Sequence, residues 1–369
     1  MTDPVRDDLG GRIDALIDGP LYDAPQADKA ARLLDVLTAL TRHHRARCAP
    51  YRRLVDVLHD GERSAATLAD VPWLPVGLWK SHRLVSVPDA EVTTTLTSSG
   101  TTGQVPSRVY LDRDTARRQA RGLARIMTHV LGGKRMPMLI VDHPGVLRDR
   151  TSFSARGAGI LGMMTFGAQP TFALDADLAL DRAAVDGFVA RHGGAPFLVF
   201  GFTYMVWAYL YQQVKDAGLD LSRGVLIHSG GWKKLIEQQV DNATFRAGLA
   251  RATGLTRVYN FYGMVEQVGS VFLEGDDGLL YPPGFADVIV RDPLTLAPAP
   301  IGTPGVLQCL SALPTSYPGH SILTEDLAVI EHVDAGVGGR RGHAVRILGR
   351  LPRAELRGCS DTHAAEVAR

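Results

Sequence analysis

LTSSGTTGQVPSRVYLDRDT, residues 96–115, sets five hydroxyl side chains and two glycines within Thr97, Ser98, Ser99, Gly100, Thr101, Thr102 and Gly103, just after the β-prone VTTTL. Glycine lets a chain turn tightly and bring backbone N–H groups close to a ligand, and Ser and Thr hydroxyls donate to phosphate oxygens. A phosphate cradle at the end of a strand is one reading; a Ser/Thr/Gly surface loop is the other. Within this loop the lysine of GxxxxGK[ST] is missing and the glycines do not fall as GxGxxG, so neither a P-loop nor a dinucleotide turn is read here.

Outward from this loop the pattern divides the chain. Residues 1–90 read as a helical region, because apolar side chains in ADKAARLLDVLTALTRHHRARCAPYRRLVDVL recur at intervals of three and four, with breaks at Pro50 and at PWLP, 72–75. Residues 91–275 read as an α/β core: MPMLIVDHP, APFLVFGFT, GVLIHSGG and TRVYNFYG are short apolar runs alternating with helical stretches, which implies crossover connections and a mainly parallel sheet flanked by helices. Residues 276–350 read as a small β-rich subdomain, since YPPG, APAPIGTPG, LPTSYPG and AGVGGRRG separate runs such as ADVIVRD and LAVIEHV. Residues 351–369 form a short polar tail carrying Cys359.

Composition narrows the function. Of 369 residues 45% are apolar and 21% charged, which excludes a disordered or fibrous chain. Forty Lys plus Arg against 39 Asp plus Glu leave +1, no field for gripping a polyanion, so nucleic acid is not expected as a partner. Cys48, Cys309 and Cys359 are odd in number and in no CxxC pair, which fits a reducing cytoplasm. The acidic start and the lack of any run of about 18 apolar residues lead to the expectation of neither a signal peptide nor a membrane span.

SSGTTGQVPS resembles the SGTTGxPK nucleotide loop of the adenylate-forming enzymes, and three further signatures follow in order: VYNFYGMVEQ (258–267) is similar to YGxTE, SILTEDLAVI (321–330) to the segment with an aspartate before an apolar strand, and RILGRLPRAELRG (346–358) to the GR hinge. The lysine-free loop, HSGGWKK (228–234), VDHP with SARGAGILGMMTFG, and RGCS around Cys359 resemble the acyl-protein synthetases of the LuxE type, and then the phenylacetate-CoA ligases. The likeness covers about residue 70 to the end. It implies ATP-dependent formation of an acyl-adenylate from a carboxylic, fatty or related, acid and transfer to a thiol. Ser99, Gly100, Thr101, Thr102 and Gly103 would hold the ATP phosphates, Tyr262 and Gly263 would lie along the adenine and the carboxylate, Glu266 would ligate Mg²⁺, Asp326 would accept from the ribose hydroxyls and Arg350 would meet the ribose or α-phosphate.

Departures from the pattern are Ser107 in place of a lysine and Val265 in place of the threonine of YGxTE; the small C-terminal domain with its adenylation lysine is also expected to be absent. Some other cation then assists the α-phosphate, or none does: Lys80 is the candidate taken here, with Arg156, Lys233 and Lys234 as alternatives. Phe202, Thr203, His228 and Gly230, at strand ends, are candidates for binding the acid, where α/β sheets receive ligands; a satisfied strand-end histidine and a buried helix face are the other readings of His228 and of the aromatic run after Phe200. Cys359, between Gly358 and Ser360 and near Arg353 and Arg357, is the first-choice acyl acceptor, with onward transfer to a protein such as a reductase or transferase. A carrier-protein phosphopantetheine or coenzyme A is the second choice, and a non-catalytic nucleotide-binding docking subunit the third.

Overall fold

The computed structural model describes residues 4–59, 65–98, 106–147, 155–232 and 239–351. Three helices open the chain: α1 (Pro4–Asp18), α2 (Gln26–Arg47) and α3 (Ala49–Leu58). Pro50 does not break a helix but starts one, at a position of the first turn where a missing N–H costs nothing. Then β1 (Leu74–Pro75), a one-turn helix α4 (Leu78–Ser81), and the hairpin β2 (Thr94–Thr97) and β3 (Arg108–Leu111) lead to α5 (Arg113–Leu131). Asp112 ends the strand and caps that helix, its carboxylate accepting from the Thr115 N–H at 2.8 Å.

The α/β section follows as β4 (Met136–Ile140), α6 (Ala155–Met164), β5 (Gly167–Phe172), α7 (Arg182–His192), β6 (Phe197–Phe202), α8 (Thr203–Met205), a π-helical stretch (Val206–Tyr211), α9 (Gln212–Val214), β7 (Gly224–Ser229), α10 (Asn242–Thr253) and β8 (Arg257–Tyr262). The remainder is β9 (Phe272–Glu274), β10 (Leu280–Tyr281), β11 (Ala286–Arg291), β12 (Gly305–Ser311), β13 (Ser321–Val333) and β14 (His343–Arg350).

These strands join one sheet in the order β11-β12-β13-β14-β10-β9-β8-β7-β6-β4-β5, with β1 added beside β13. Strands β5, β4, β6, β7 and β8 are parallel, as the alternation of strands and helices requires. The direction then changes: β8 pairs antiparallel with β9 through Phe261 and Leu273, and β9 to β14 carry the antiparallel half. Residues on both sides of position 275 therefore share one sheet.

Alternation of side chains divides the parallel half into two faces. Phe200, Val225 and Ile227 belong to a core with Ile126 of α5 and Ile160 and Met163 of α6, and α1 and α2 enter the same core through Ile13, Ile17, Leu33 and Leu37. Val199, Leu226 and Val258 pack on the other face against Trp207, Phe245 and Leu249. A third cluster anchors α3 and α4, with Tyr51 and Trp79 beside Tyr317 and Ile322. No helix among the described residues is long and apolar enough to cross a membrane.

Candidate active site

The site is assembled around the turn after β8. Val265–Gln267 is a short 3-10 turn, and its Glu266 is buried, 5% exposed, where an apolar strand-like run would normally hold no carboxylate. The turn is clamped from behind: Tyr317 Oη donates to the Glu266 carbonyl at 2.9 Å, and Gln267 Nε2 donates to the carbonyls of Cys309 and Gly319 at 3.0 and 2.8 Å. Burial pushes the Glu266 carboxyl above its ordinary range, while a hydrogen bond from Ser107 and the positive charges of Lys80 and Arg350 act against that rise.

Those three partners come from distant parts of the chain. Ser107 stands at the root of the β2–β3 loop, where its N–H donates to Ser98 Oγ at 2.8 Å and the Ser98 N–H donates to the Ser107 carbonyl at 3.1 Å. Ser107 replaces the lysine of the family loop, and its hydroxyl gives Glu266 a hydrogen bond that a lysine would replace with a charge. Ser99, Gly100, Thr101, Thr102 and Gly103 lie outside the described residues; the paired stem Thr97–Arg108 brings both ends of their loop to the Glu266 turn.

Lys80 arrives by a different route. Strand β1 pairs parallel with β13, Leu74 beside Ile322 and Pro75 beside Leu323, and the Val76 N–H donates to the Leu323 carbonyl at 2.8 Å. The α4 turn that follows buries Trp79 in the third cluster and leaves Lys80 half-buried, within electrostatic reach of Glu266. Arg156, by contrast, is engaged elsewhere: its Nε lies 3.0 Å from the buried Asp142 carboxylate at the end of β4. Lys233 and Lys234 are outside the described residues, as is Cys359.

Asp326 and Arg350 face each other across the β13–β14 ladder, with Arg350 Nε 3.7 Å from Asp326 Oδ1. Tyr262 at the end of β8 donates to Asp326 Oδ2 at 2.6 Å, and burial raises its phenol well above the ordinary tyrosine value. Arg350 is 76% exposed. Tyr262, Asp326 and Arg350 thus meet one another, and Glu266, on the turn after Gly263, lies within electrostatic reach of Arg350 and Lys80.

The acid-binding candidates divide between the two faces of the rim. Phe202, Ser229 and Phe261 form a row across β6, β7 and β8. One residue back, Gly201, His228 and Asn260 form the next row, on the opposite face. His228 is 1% exposed; its Nδ1 shares a hydrogen bond of 3.0 Å with Thr203 Oγ1, its ring leans on Phe245, and burial lowers its pKa to about 3, which keeps the imidazole neutral. Thr203 and His228 therefore pair with one another, while Gly230 follows on the exposed turn with φ +88°.

Asn260, Gln267 and Tyr317 were not among the residues singled out from sequence, and Ser107 was noted only as a departure from the family pattern. Asn260 Oδ1 and His228 Nε2 are both buried without a hydrogen-bond partner, two open polar positions side by side in register. The signal for Asn260 was present in YNFYG, where a polar amide interrupts an aromatic strand.

Known proteins can be set against this geometry. The family model described as acyl-protein synthetase, LuxE, matches residues 13–367. The chain belongs to that family. It is 26% identical over 326 residues to a long-chain-fatty-acid–luciferin-component ligase of Vibrio harveyi, covering 84% of this chain and 81% of that one. The corresponding ligase of Aliivibrio fischeri is 23% identical over 300 residues, covering 80% and 78%. Solved structures of 2-hydroxyisobutyryl-CoA ligase share the fold: one in the postadenylation state with 2-HIB-AMP gives a TM-score of 0.66 at 18% identity over 89% of this chain and 69% of that one. An open conformation with 2-HIB-AMP and CoA gives 0.64 at 19% over 94% and 82%. As an acyl-protein synthetase of the AMP-forming kind, the chain activates a carboxylic acid as its acyl-adenylate and passes the acyl group to a thiol.

Proposed function

We propose that this LuxE-family enzyme uses MgATP to activate a carboxylic acid of the fatty or related class and loads it first on its own Cys359, from which a partner protein receives it. The observation that carries the reading is the buried Glu266 carboxylate, set between the root of the hydroxyl-rich loop, Lys80 and Arg350. A carboxylate held away from water beside a phosphate loop suits a hard divalent ion that takes one or two protein oxygens and completes its shell with phosphate oxygens. Among the described residues no group of three or more His, Cys, Asp or Glu side chains could hold a metal ion. Bound at Glu266, Mg²⁺ would neutralise charge on the phosphates.

The chain's own groups divide the remaining work. Asp326, already fixed by Tyr262, presents carboxylate oxygen to the ribose hydroxyls. Asn260 offers an unpartnered acceptor that fits the exocyclic amine of a purine. Lys80 and Arg350 meet the α-phosphate as a carboxylate oxygen of the acid attacks phosphorus and the bond to pyrophosphate breaks. The Cys359 thiolate then attacks the acyl carbon, AMP leaves, and a thioester remains. Two buried free thiols, Cys48 and Cys309, fit work in the reducing cytoplasm.

Intact-protein mass spectrometry tests the acceptor. The protein is incubated with MgATP and a panel of short, long-chain and aryl acids, as wild type and as Cys359→Ser. The expected result is an ATP-dependent, hydroxylamine-labile acyl mass on wild type that the variant lacks. Pyrophosphate release with no adduct on either protein would move the acceptor to a carrier protein or coenzyme A.

A further inference from the structure

The row Phe202–Ser229–Phe261 lies at the carboxyl ends of three parallel strands, where an open α/β sheet receives its ligand, and Phe261 directly precedes Tyr262 of the nucleotide site. An acid whose carboxylate reaches the α-phosphate must lay its tail over this row or over the row on the opposite face. The opposite row is Gly201–His228–Asn260, polar and closed behind by Phe245 and Trp207. The apolar side is therefore the one that suits an acyl chain.

On that side, among the described residues, Phe202 stands across the way inward. The Phe202 ring spans from β6 to α6: a methyl group placed on Gly159 would come within 3.0 Å of Phe202 Cζ, and one placed on Gly230 within 3.1 Å of its Cδ1. Two positions without side chains thus make room for one ring, which fills the gap between the helix and the strand ends. The next row in, Phe200–Ile227–Tyr259, has Phe200 and Ile227 fully buried in the main core. A long acyl chain would have to pass Phe202 and then displace that row, against the close packing of a protein interior. Ser229, half-buried, is the one small side chain in this row, between two phenylalanines in register.

We infer that the acyl group this site accepts is compact, no larger than a single ring or a short branched chain, and that Phe202 is the residue that sets the limit. The inference rests on the acid-activating reading above and narrows its substrate to the short end of the fatty and related acids.

The test is acid-dependent ATP–pyrophosphate exchange over a series from butanoate, 2-methylpropanoate and benzoate to decanoate and hexadecanoate, with wild type, Phe202→Ala and the milder Phe202→Leu. Thermal melts of each variant exclude unfolding as the cause of any loss. Wild type is expected to exchange with the short and single-ring acids at least tenfold faster, as kcat/KM, than with hexadecanoate. Phe202→Ala is expected to raise the decanoate value about tenfold, with Phe202→Leu between. A purely structural Phe202 would lower all acids together. Exchange in wild type that favours hexadecanoate, or a length profile unmoved by Phe202→Ala and Phe202→Leu, overturns this inference while leaving acid activation intact. No exchange with any acid overturns acid activation, and the inference with it.

Discussion

Two buried carboxylates in this molecule have opposite surroundings. Asp287 on β11 is fully enclosed and fully answered: Gln26 Nε2 donates to it at 2.7 Å, the His343 ring meets it at 2.8 Å and Lys29 Nζ lies 3.8 Å away. Burial raises its pKa, but the Lys29 and His343 charges and these bonds outweigh it, and the carboxyl falls well below its ordinary value. Glu266 is enclosed too, yet its pKa rises, because Ser107 and two cations at longer range do not offset desolvation. A pair closed on itself holds the α2 helix against the antiparallel half of the sheet. A carboxylate left short of partners is one that a ligand is expected to complete.

Substitution separates the two most widely. Glu266→Gln is expected to lower kcat/KM for ATP–pyrophosphate exchange by about a hundredfold or more, as loss of a group that stabilises transition-state charge does, with no loss of thermal stability. Asp287→Asn should reverse this: it leaves the buried Lys29 without its counter-charge and is expected to destabilise the fold by about 3–5 kcal/mol, while the folded fraction keeps its exchange rate. Denaturant melts and exchange assays on both variants decide the matter. If Asp287→Asn lost exchange without losing stability, the division between a structural and a functional carboxylate would be wrong.

Lys80 sharpens the comparison, since among the described residues it is the lysine whose charge reaches Glu266. Lys80→Ala is expected to slow exchange about 10–100-fold with a smaller change in acid KM, and Lys80→Arg to restore part of it, because the charge returns on a longer and wider head. Equal activity in Lys80→Ala and wild type would return this lysine to the surface groups.

The strand–helix alternation from Met136 to Tyr262 was legible in sequence because parallel strands buried on both faces leave unbroken apolar runs. The continuation of the same sheet through β9 to β14 was not, since turn residues announce strands but not which neighbour they pair with. Glu266 stood out as a carboxylate in an apolar run, and Tyr262, Asp326 and Arg350 as parts of ordered motifs. Lys80 could be named but not placed: its position depends on a two-residue strand pairing with residues some 250 positions away, and no local pattern encodes that. Ser107 was counted as a lost lysine, because a motif compares residue types and does not show that a hydroxyl at the loop's root reaches the Glu266 carboxylate.

The smallest expected effect concerns stability alone. Glu266 has a folded-state pKa above its unfolded value, so the folded protein holds that proton more tightly and the group lowers stability as pH rises. Below the unfolded value of 4.5 both states are protonated and no penalty exists; it builds as pH climbs from there and is complete once pH has passed the raised folded pKa. Glutamine at 266 carries no such charge. Glu266→Gln is therefore expected to raise stability at neutral pH and to make no difference near pH 4. Thermal melts of the two proteins across that range measure it. Saturating MgATP should erase the gain by stabilising wild type more than the variant, since a ligand that binds only the folded state adds stability according to its affinity, and the carboxylate is the group that the ligand completes. A gain that survives MgATP would mean that Glu266 does not face the nucleotide.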